Sequence, residues 1–276
     1  MSKGKCYICG KIIDKKGAVK HLKSCVKKEN IKKDVDVFHI GLYAGDYWLH
    51  IEIPKDYTLK DLDQFIRDIW VECCEHLSEF TIGNVRYVSL EEDRCNPLPD
   101  IIEKEMRVLA KITDEDLEEL DNLISSVKSD RLRALLNELK RDIELSKMLA
   151  GILVIPKERP MEGVKLEDVL NVGDKFSYTY DFGSSTEIDL KVIDERKGIG
   201  FRILARNLPI EFKCKICGKK AEWIYPMNFD TYCDECAKKY AKKKGYDEAD
   251  ELFLPIVNSP RCGVCEYEGS EKYGDI

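Results

Sequence analysis

The chain has 276 residues, 43% of them apolar and 35% charged, with a formal net charge of −7. That length exceeds one typical domain and the apolar share supports an ordinary core, while no apolar run approaches the roughly 18 residues a membrane span needs, so none is expected. The average charge hides a division: residues 1–33 hold eleven lysines against Asp14 and Glu29, a balance of +9, residues 213–245 balance at +5, and the rest carries −21.

The chain opens on Cys6-Tyr-Ile-Cys9-Gly10-Lys11, followed by His21 and Cys25. Two cysteines three apart on a tight turn aim both sulfurs at one point, and a following glycine lets backbone N–H groups approach them. A helix over residues 16–28 puts His21 and Cys25 one turn apart on one face, with Val19, Leu22 and Val26 packing behind them. The spacing C-x2-C-x11-H-x3-C is that of a structural zinc site. The phrase recurs as Cys214-Lys-Ile-Cys217-Gly218-Lys219 and completes through Cys233 and Cys236 as C-x2-C-x15-C-x2-C, a second such site. Two structural zinc ions are therefore expected. Met1 to Lys5 is polar and basic, not an apolar signal, so a reduced, cytoplasmic setting is expected and a secreted disulfide framework is not.

Between the two sites the elements follow in order. Residues 34–44 and 46–53 alternate apolar and polar around Ala44-Gly45-Asp46, a hairpin signal. Thr58 starts a helix with Leu59, Leu62, Phe65, Ile66 and Ile69 on one stripe, ending near Trp70. A second hairpin turns at Gly83-Asn84. Residues 97–157 then change period: Thr113 starts one helix with Leu117, Leu120, Leu123, Ile124 and Val127 on a face, and Leu132, Leu135, Leu136, Leu139 and Ile143 mark another. Strand alternation resumes at Phe176–Tyr180 and Ile188–Val192.

These elements predict an α+β fold, a mixed or antiparallel sheet roll with one main helix. The expected organisation is a C2HC zinc finger at 1–33, an α+β core at 34–96 and 158–210, a helical-hairpin insertion at 97–157, and a four-cysteine zinc module with a tail at 211–276.

The order of motifs in the core resembles the plasmid pRiA4b ORF-3-like family, also called transposon passenger TnpR-like. The residues that carry it are Tyr57-Thr-Leu-Lys-Asp61-Leu, Trp70, His76-Leu-Ser-Glu79-Phe80-Thr-Ile82-Gly83, Val172-Gly173-Asp174-Lys-Phe176 and Tyr180-Asp181-Phe182-Gly183. A subset of the family is also similar through Leu204-Ala-Arg-Asn207 and Val257-Asn-Ser-Pro-Arg261. The resemblance implies an α+β fold and assigns no reaction. Many members carry acidic, tryptophan and histidine residues where this chain has Ser184-Ser185-Thr186-Glu187-Ile188, and the similar subset often has a middle cysteine pair that Trp223 to Asp230 lacks, which points to one zinc there.

Five cysteines fall outside the two sites, in the core and tail. Cys73, Cys74 and Cys95 read as small apolar residues. Cys262 and Cys265 could join the second site, pair with each other, or supply half of a site completed elsewhere; an unmetallated pair or a disulfide is the expectation. His76 beside Trp70 and Phe80 reads as a satisfied structural residue, and Asp181-Phe-Gly183 matches a kinase triplet in letters only. No catalytic constellation or small-molecule substrate is legible. The leading functional reading is sequence-tolerant association of the basic modules with nucleic acid, with Lys16, Lys20, Lys23, Lys238 and Lys242 on phosphates. A solvated lysine surface gives the same counts. The second reading is a protein-interaction adaptor using the helical insertion, and the third an enzyme with a cleft near His76, Glu79 and Asp181.

Overall fold

The structure is a computed structural model and describes residues 2–89, 113–152 and 157–274. Cys95 and the first part of the helical insertion, 97–112, lie outside the described residues. The chain divides into two compact units, Met1–Leu90 with Arg159–Ile276, and Glu91–Glu158. The fold is α+β, and among the described residues no helix is long and apolar enough to cross a membrane.

The larger unit is organised by strand alternation. β3 (Val35–Ala44) and β4 (Tyr47–Pro54) pair antiparallel around Gly45, whose φ of 57° suits the turn. Because side chains alternate along a strand, Phe38, Ile40 and Leu42 share a face with Leu49, Ile51 and Ile53. That face is closed by α2 (Leu59–Ile66), which starts at a capping box: Thr58 Oγ1 accepts from Asp61 N–H, and Asp61 accepts from Thr58 N–H. The helix does not stop at Ile66. It widens into a π-helical turn over Arg67–Val71 that buries Ile69, Trp70 and Val71.

β5 (Ser78–Ile82) and β6 (Val85–Val88) form the second hairpin, and β8 (Lys175–Tyr180), β9 (Thr186–Gly198) and β10 (Arg202–Asn207) complete the core. With β1 (Lys3–Cys6), β2 (Ile12–Asp14) and β7 (Lys157–Pro160) the sheet runs β2-β1-β10-β4-β3-β9-β8-β5-β6-β7. The N-terminal segment thus enters the sheet, with Gly4 opposite Asn207. Gly4 is required there: a Cβ would stand 2.3 Å from the Arg206 carbonyl oxygen and 2.4 Å from the Trp48 ring. Gly4→Val is expected to cost about 1–3 kcal/mol through this overlap, read as a lowered midpoint in thermal denaturation; an unchanged midpoint would show that β1 does not dock.

The other face of this hairpin carries His39, His50 and Glu52, and all three are fully buried. The cover is α1 (Ala18–Lys28), whose Leu22 and Val26 pack with Trp48, Leu204 and Ala205. Polar groups beneath it are largely matched: His39 Nε2 lies 3.0 Å from His50 Nδ1, and Glu52 accepts from Arg196 and Arg202. Arg202 also donates two 2.7 Å hydrogen bonds to Glu29, just past α1, so an ion network ties the N-terminal helix to the sheet.

At the other end of the chain β11 (Trp223–Ile224), β12 (Thr231–Tyr232) and β13 (Leu254–Pro255) form a small sheet beside α6 (Asp234–Lys244), around Tyr232, Ala237, Ala241 and Phe253. The tail then returns to the core: Asn207 Nδ2 donates to Asn258 Oδ1 at 2.7 Å and Ser259 Oγ to the Trp70 carbonyl at 2.5 Å. A short helix α5 (Leu166–Val169) precedes β8.

In the smaller unit α3 (Asp114–Ser126) begins at a capping box between Thr113 and Asp116 and is followed by α4 (Asp130–Ile152). Lys140 reaches both carboxylate oxygens of Asp121 at 2.6 and 2.7 Å, joining the helices into a hairpin.

Candidate metal centres

The two knuckles have the same geometry. Gly10 N–H donates to the Cys6 carbonyl at 2.8 Å and Cys6 N–H to the Lys11 carbonyl at 2.9 Å; Gly218 and Cys214 repeat these bonds at 2.9 and 2.7 Å. Both glycines sit at φ 73°, a conformation a side chain strains. β1 delivers the first knuckle and α1 presents His21 and Cys25 to it. In the second, Cys233 caps α6 and Cys236 lies in its first turn, with Cys236 N–H donating to the Cys233 carbonyl at 3.0 Å.

In each set the four ligand atoms lie within 4.8 Å of one another. Cys9 Sγ is 3.3 Å from His21 Nε2, Cys6 Sγ 3.9 Å from Cys25 Sγ, and Cys217 Sγ 3.5 Å from Cys233 Sγ. A tetrahedral ion with sulfur at about 2.3 Å and nitrogen at about 2.0 Å sets its ligands roughly 3.5–3.8 Å apart, so the donors present can hold a metal ion. The thiols are unevenly poised. Burial, with the neighbouring Cys9 and Cys6 sulfurs, pushes Cys25 up to about 12, and burial with Cys233 and Cys214 does the same to Cys236. Burial also raises Cys214, but the amides of Cys233, Cys217 and Ile216 outweigh it and bring that thiol down to about 6. Crowded thiolates repel one another, and a divalent cation reverses that repulsion.

A third set departs from expectation. Cys73, Cys74, His76 and Cys265 also bring four ligand atoms within 4.8 Å. Cys262 and Cys265 do not pair: Cys262 Sγ accepts from Val257 N–H at 3.4 Å, and the described cysteines form no disulfide. Cys73 is half-buried and packs against the main core as a small apolar residue does, whereas Cys74, just past the π-helical turn, is exposed. His76 sets its ring edge-on to Tyr180, and its Nε2 lies 3.2 Å from Cys265 Sγ and 3.7 Å from Asp181 Oδ2. Glu79 is engaged by Arg86 instead.

The five lysines singled out from the sequence differ in availability. Lys16, Lys20 and Lys242 are exposed and form no ion pair among the described residues. Lys23 lies 3.8 Å from Asp194 and Lys238 2.9 Å from Asp234 on its own helix. Beside the second knuckle Ile216, Met227 and Phe229 are exposed at 66%, 79% and 55%, a feature the sequence reading missed because each is a lone apolar residue in a polar turn.

No family model matches the chain, and no curated protein does. One solved structure similar to it is a protein of unknown function, MM3350 from Methanosarcina mazei Go1, at 17% identity and a TM-score of 0.31, covering 64% of this chain and 65% of that one.

Proposed function

We propose that the protein is a cytoplasmic, non-catalytic zinc-binding protein whose lysine-rich modules associate with nucleic acid in a sequence-tolerant way. The carrying observation is that Lys16, Lys20 and Lys242 stand exposed, without an ion pair among the described residues, beside two cysteine and histidine sets on a chain whose remaining charge is strongly acidic. Zinc suits the donors: three cysteines with one histidine, and four cysteines, are structural ligand sets in which the protein supplies all four positions and leaves no water to activate. The exposed Phe229, with Ile216 and Met227, adds apolar surface beside the second knuckle, which favours single strands whose bases can stack. Residues 1–33 contain no Arg or Gln and only Asn30 beyond the helix, so direct reading of base edges has few agents. Membership of the core in the pRiA4b ORF-3-like family belongs to the same proposal.

The test is titration of labelled duplex and single-stranded DNA and RNA against salt. With four to six phosphate contacts, affinity for duplex falls by roughly two to three decades between 50 and 200 mM salt, and reversing Lys16 and Lys20 to Glu weakens every sequence alike. Absence of binding at tens of micromolar in low salt would end this reading; a strong preference for one sequence would mean that another surface does the reading.

One observation favours the adaptor reading as its rival. On the helical hairpin Leu123, Leu132, Leu135, Leu139 and Leu145 are each about half exposed or more, and among the described residues there Ile124 alone is buried. Apolar rows of that kind mark protein-binding faces.

A further inference from the structure

We infer that Cys73, Cys74, His76 and Cys265 form a third zinc site, a centre of three cysteines and one histidine that clips the C-terminal tail onto the end of the π-helical turn. The donors come from two places far apart in sequence. Cys73, Cys74 and His76 lie just after Val71, whereas Cys265 arrives on the tail, 189 residues beyond His76. Four thiol and imidazole groups rarely converge without a reason: unlike apolar side chains they gain little from one another, and thiolates repel. A redox pair would need only two of them and leaves His76 and the third sulfur unexplained.

The backbone around the set is held in conformations that cost energy. Among the described residues five non-glycines have positive φ, and four of them surround this cluster: Glu75 at 55°, Asp181 at 64°, Cys265 at 49° and Glu266 at 55°. Strain of that kind persists only where surrounding contacts over-determine it. Those contacts are present. Tyr180 Oη accepts from the backbone N–H groups of Cys73 and His76 at 3.4 and 3.3 Å and donates to Glu72 at 2.9 Å. Arg67 donates to the His76 carbonyl at 2.7 Å.

On the tail side Arg261 is fully buried, and its guanidinium is spent on four acceptors: Asp181 Oδ2 at 2.8 Å, Thr186 Oγ1 at 3.0 Å, the Ser184 carbonyl at 3.1 Å and Cys73 Sγ at 3.3 Å. Hydrogen-bonding partners of this sort around a site fix its ligands. Three thiolates and a neutral imidazole around a divalent ion leave one negative charge, which Arg261 faces. Soft thiolates with one imidazole in a tetrahedral arrangement select zinc over hard cations. The three thiols give up their protons on binding while the imidazole stays neutral, and closing so long a loop makes the ion a tether for the whole tail.

This inference shares with the preceding section only the identity of the metal, and each site has its own variant. Metal analysis of full-length protein purified with zinc and without chelator is expected to give three ions per chain. Cys265→Ser should hold two, as should Cys9→Ser and Cys217→Ser separately, while Cys262→Ser keeps three. Two ions in the wild type, falling to one in Cys9→Ser and Cys217→Ser but unchanged in Cys265→Ser, would overturn the third site and leave the first two standing; three ions in Cys265→Ser would overturn it as well. Should Cys265→Ser fail to fold, alkylation of the native wild type decides. Cys74 is exposed, so burial cannot shield it, and slow labelling of Cys74 and Cys265 that becomes fast on chelation supports the ion. Rapid labelling of both in zinc-loaded protein would sink the proposal.

Discussion

Cys214→Ser is expected to release one zinc ion and melt residues 211–255 while the ten-stranded sheet stays folded. The reason is the size of the local core. Around the second knuckle the buried set is Cys214, Tyr232, Cys233, Ala237, Ala241, Ala249 and Phe253, with three alanines and two ligands among seven residues. So little apolar area cannot offset the ordering of some forty residues, whereas a structural zinc ion contributes on the order of 10–16 kcal/mol. Loss of one ion by metal analysis, together with loss of amide protection confined to α6 and β11–β13 in hydrogen exchange, is the expected pair of results. A variant that keeps α6 protected would show that the aromatic cluster of Tyr225, Tyr232, Tyr240 and Phe253 suffices by itself.

Cys6→Ser should behave differently because its module is not an appendage. β1 pairs with β10, and α1 roofs the buried polar face of the sheet, so disturbing the first site also exposes His39, His50 and Glu52. Its damage is expected to reach β3, β4 and β10, where that of Cys214→Ser does not.

How much of this the sequence discloses depends on whether the determining contacts are local. The knuckles, the capping boxes at Thr58 and Thr113, and the turns at Gly45 and Gly83 are each set within a few residues, and all are legible. The third metal-ligand set is not: Cys-Cys-x-His has no spacing signature of its own, and the fourth donor lies 189 residues from His76. The burial of His39 and Glu52 is hidden for a related reason. Alternation shows that they share a face with Trp48, but only the fold shows that α1 covers that face. Arg261 looks like an ordinary tail cation until Asp181, Thr186 and Cys73 are seen around it.

The covered histidines give the second large effect, a loss of stability in acid that begins near neutrality. Burial pushes His50 down to about 4, and burial, the His50 ring and the Arg196 and Lys23 charges push His39 down to about 2. His39 Nδ1 has no partner among the described residues, so a proton there would be buried without an acceptor. The facing groups do not rescue it. Asp194, opposite His39 on β9, is engaged by Lys23 and Arg196, Glu52 is taken by Arg196 and Arg202, and Tyr43 stands 3.5 Å from His50 Nε2. The fold therefore selects the neutral rings, whereas the unfolded chain takes up protons below about 6.5. Stability is fully present above that pH and falls as pH drops toward about 4 and then about 2; the His50 shift alone corresponds to about 3 kcal/mol. Acid also strips the metal sites, but that loss is common to the wild type and to His39→Leu/His50→Leu, which replaces both hydrogen-bonding partners together. Denaturant midpoints between pH 7 and 4 should decline more steeply in the wild type than in the double variant. Parallel declines would place the acid sensitivity in the thiolates and carboxylates and leave the buried histidine pair without a role in it.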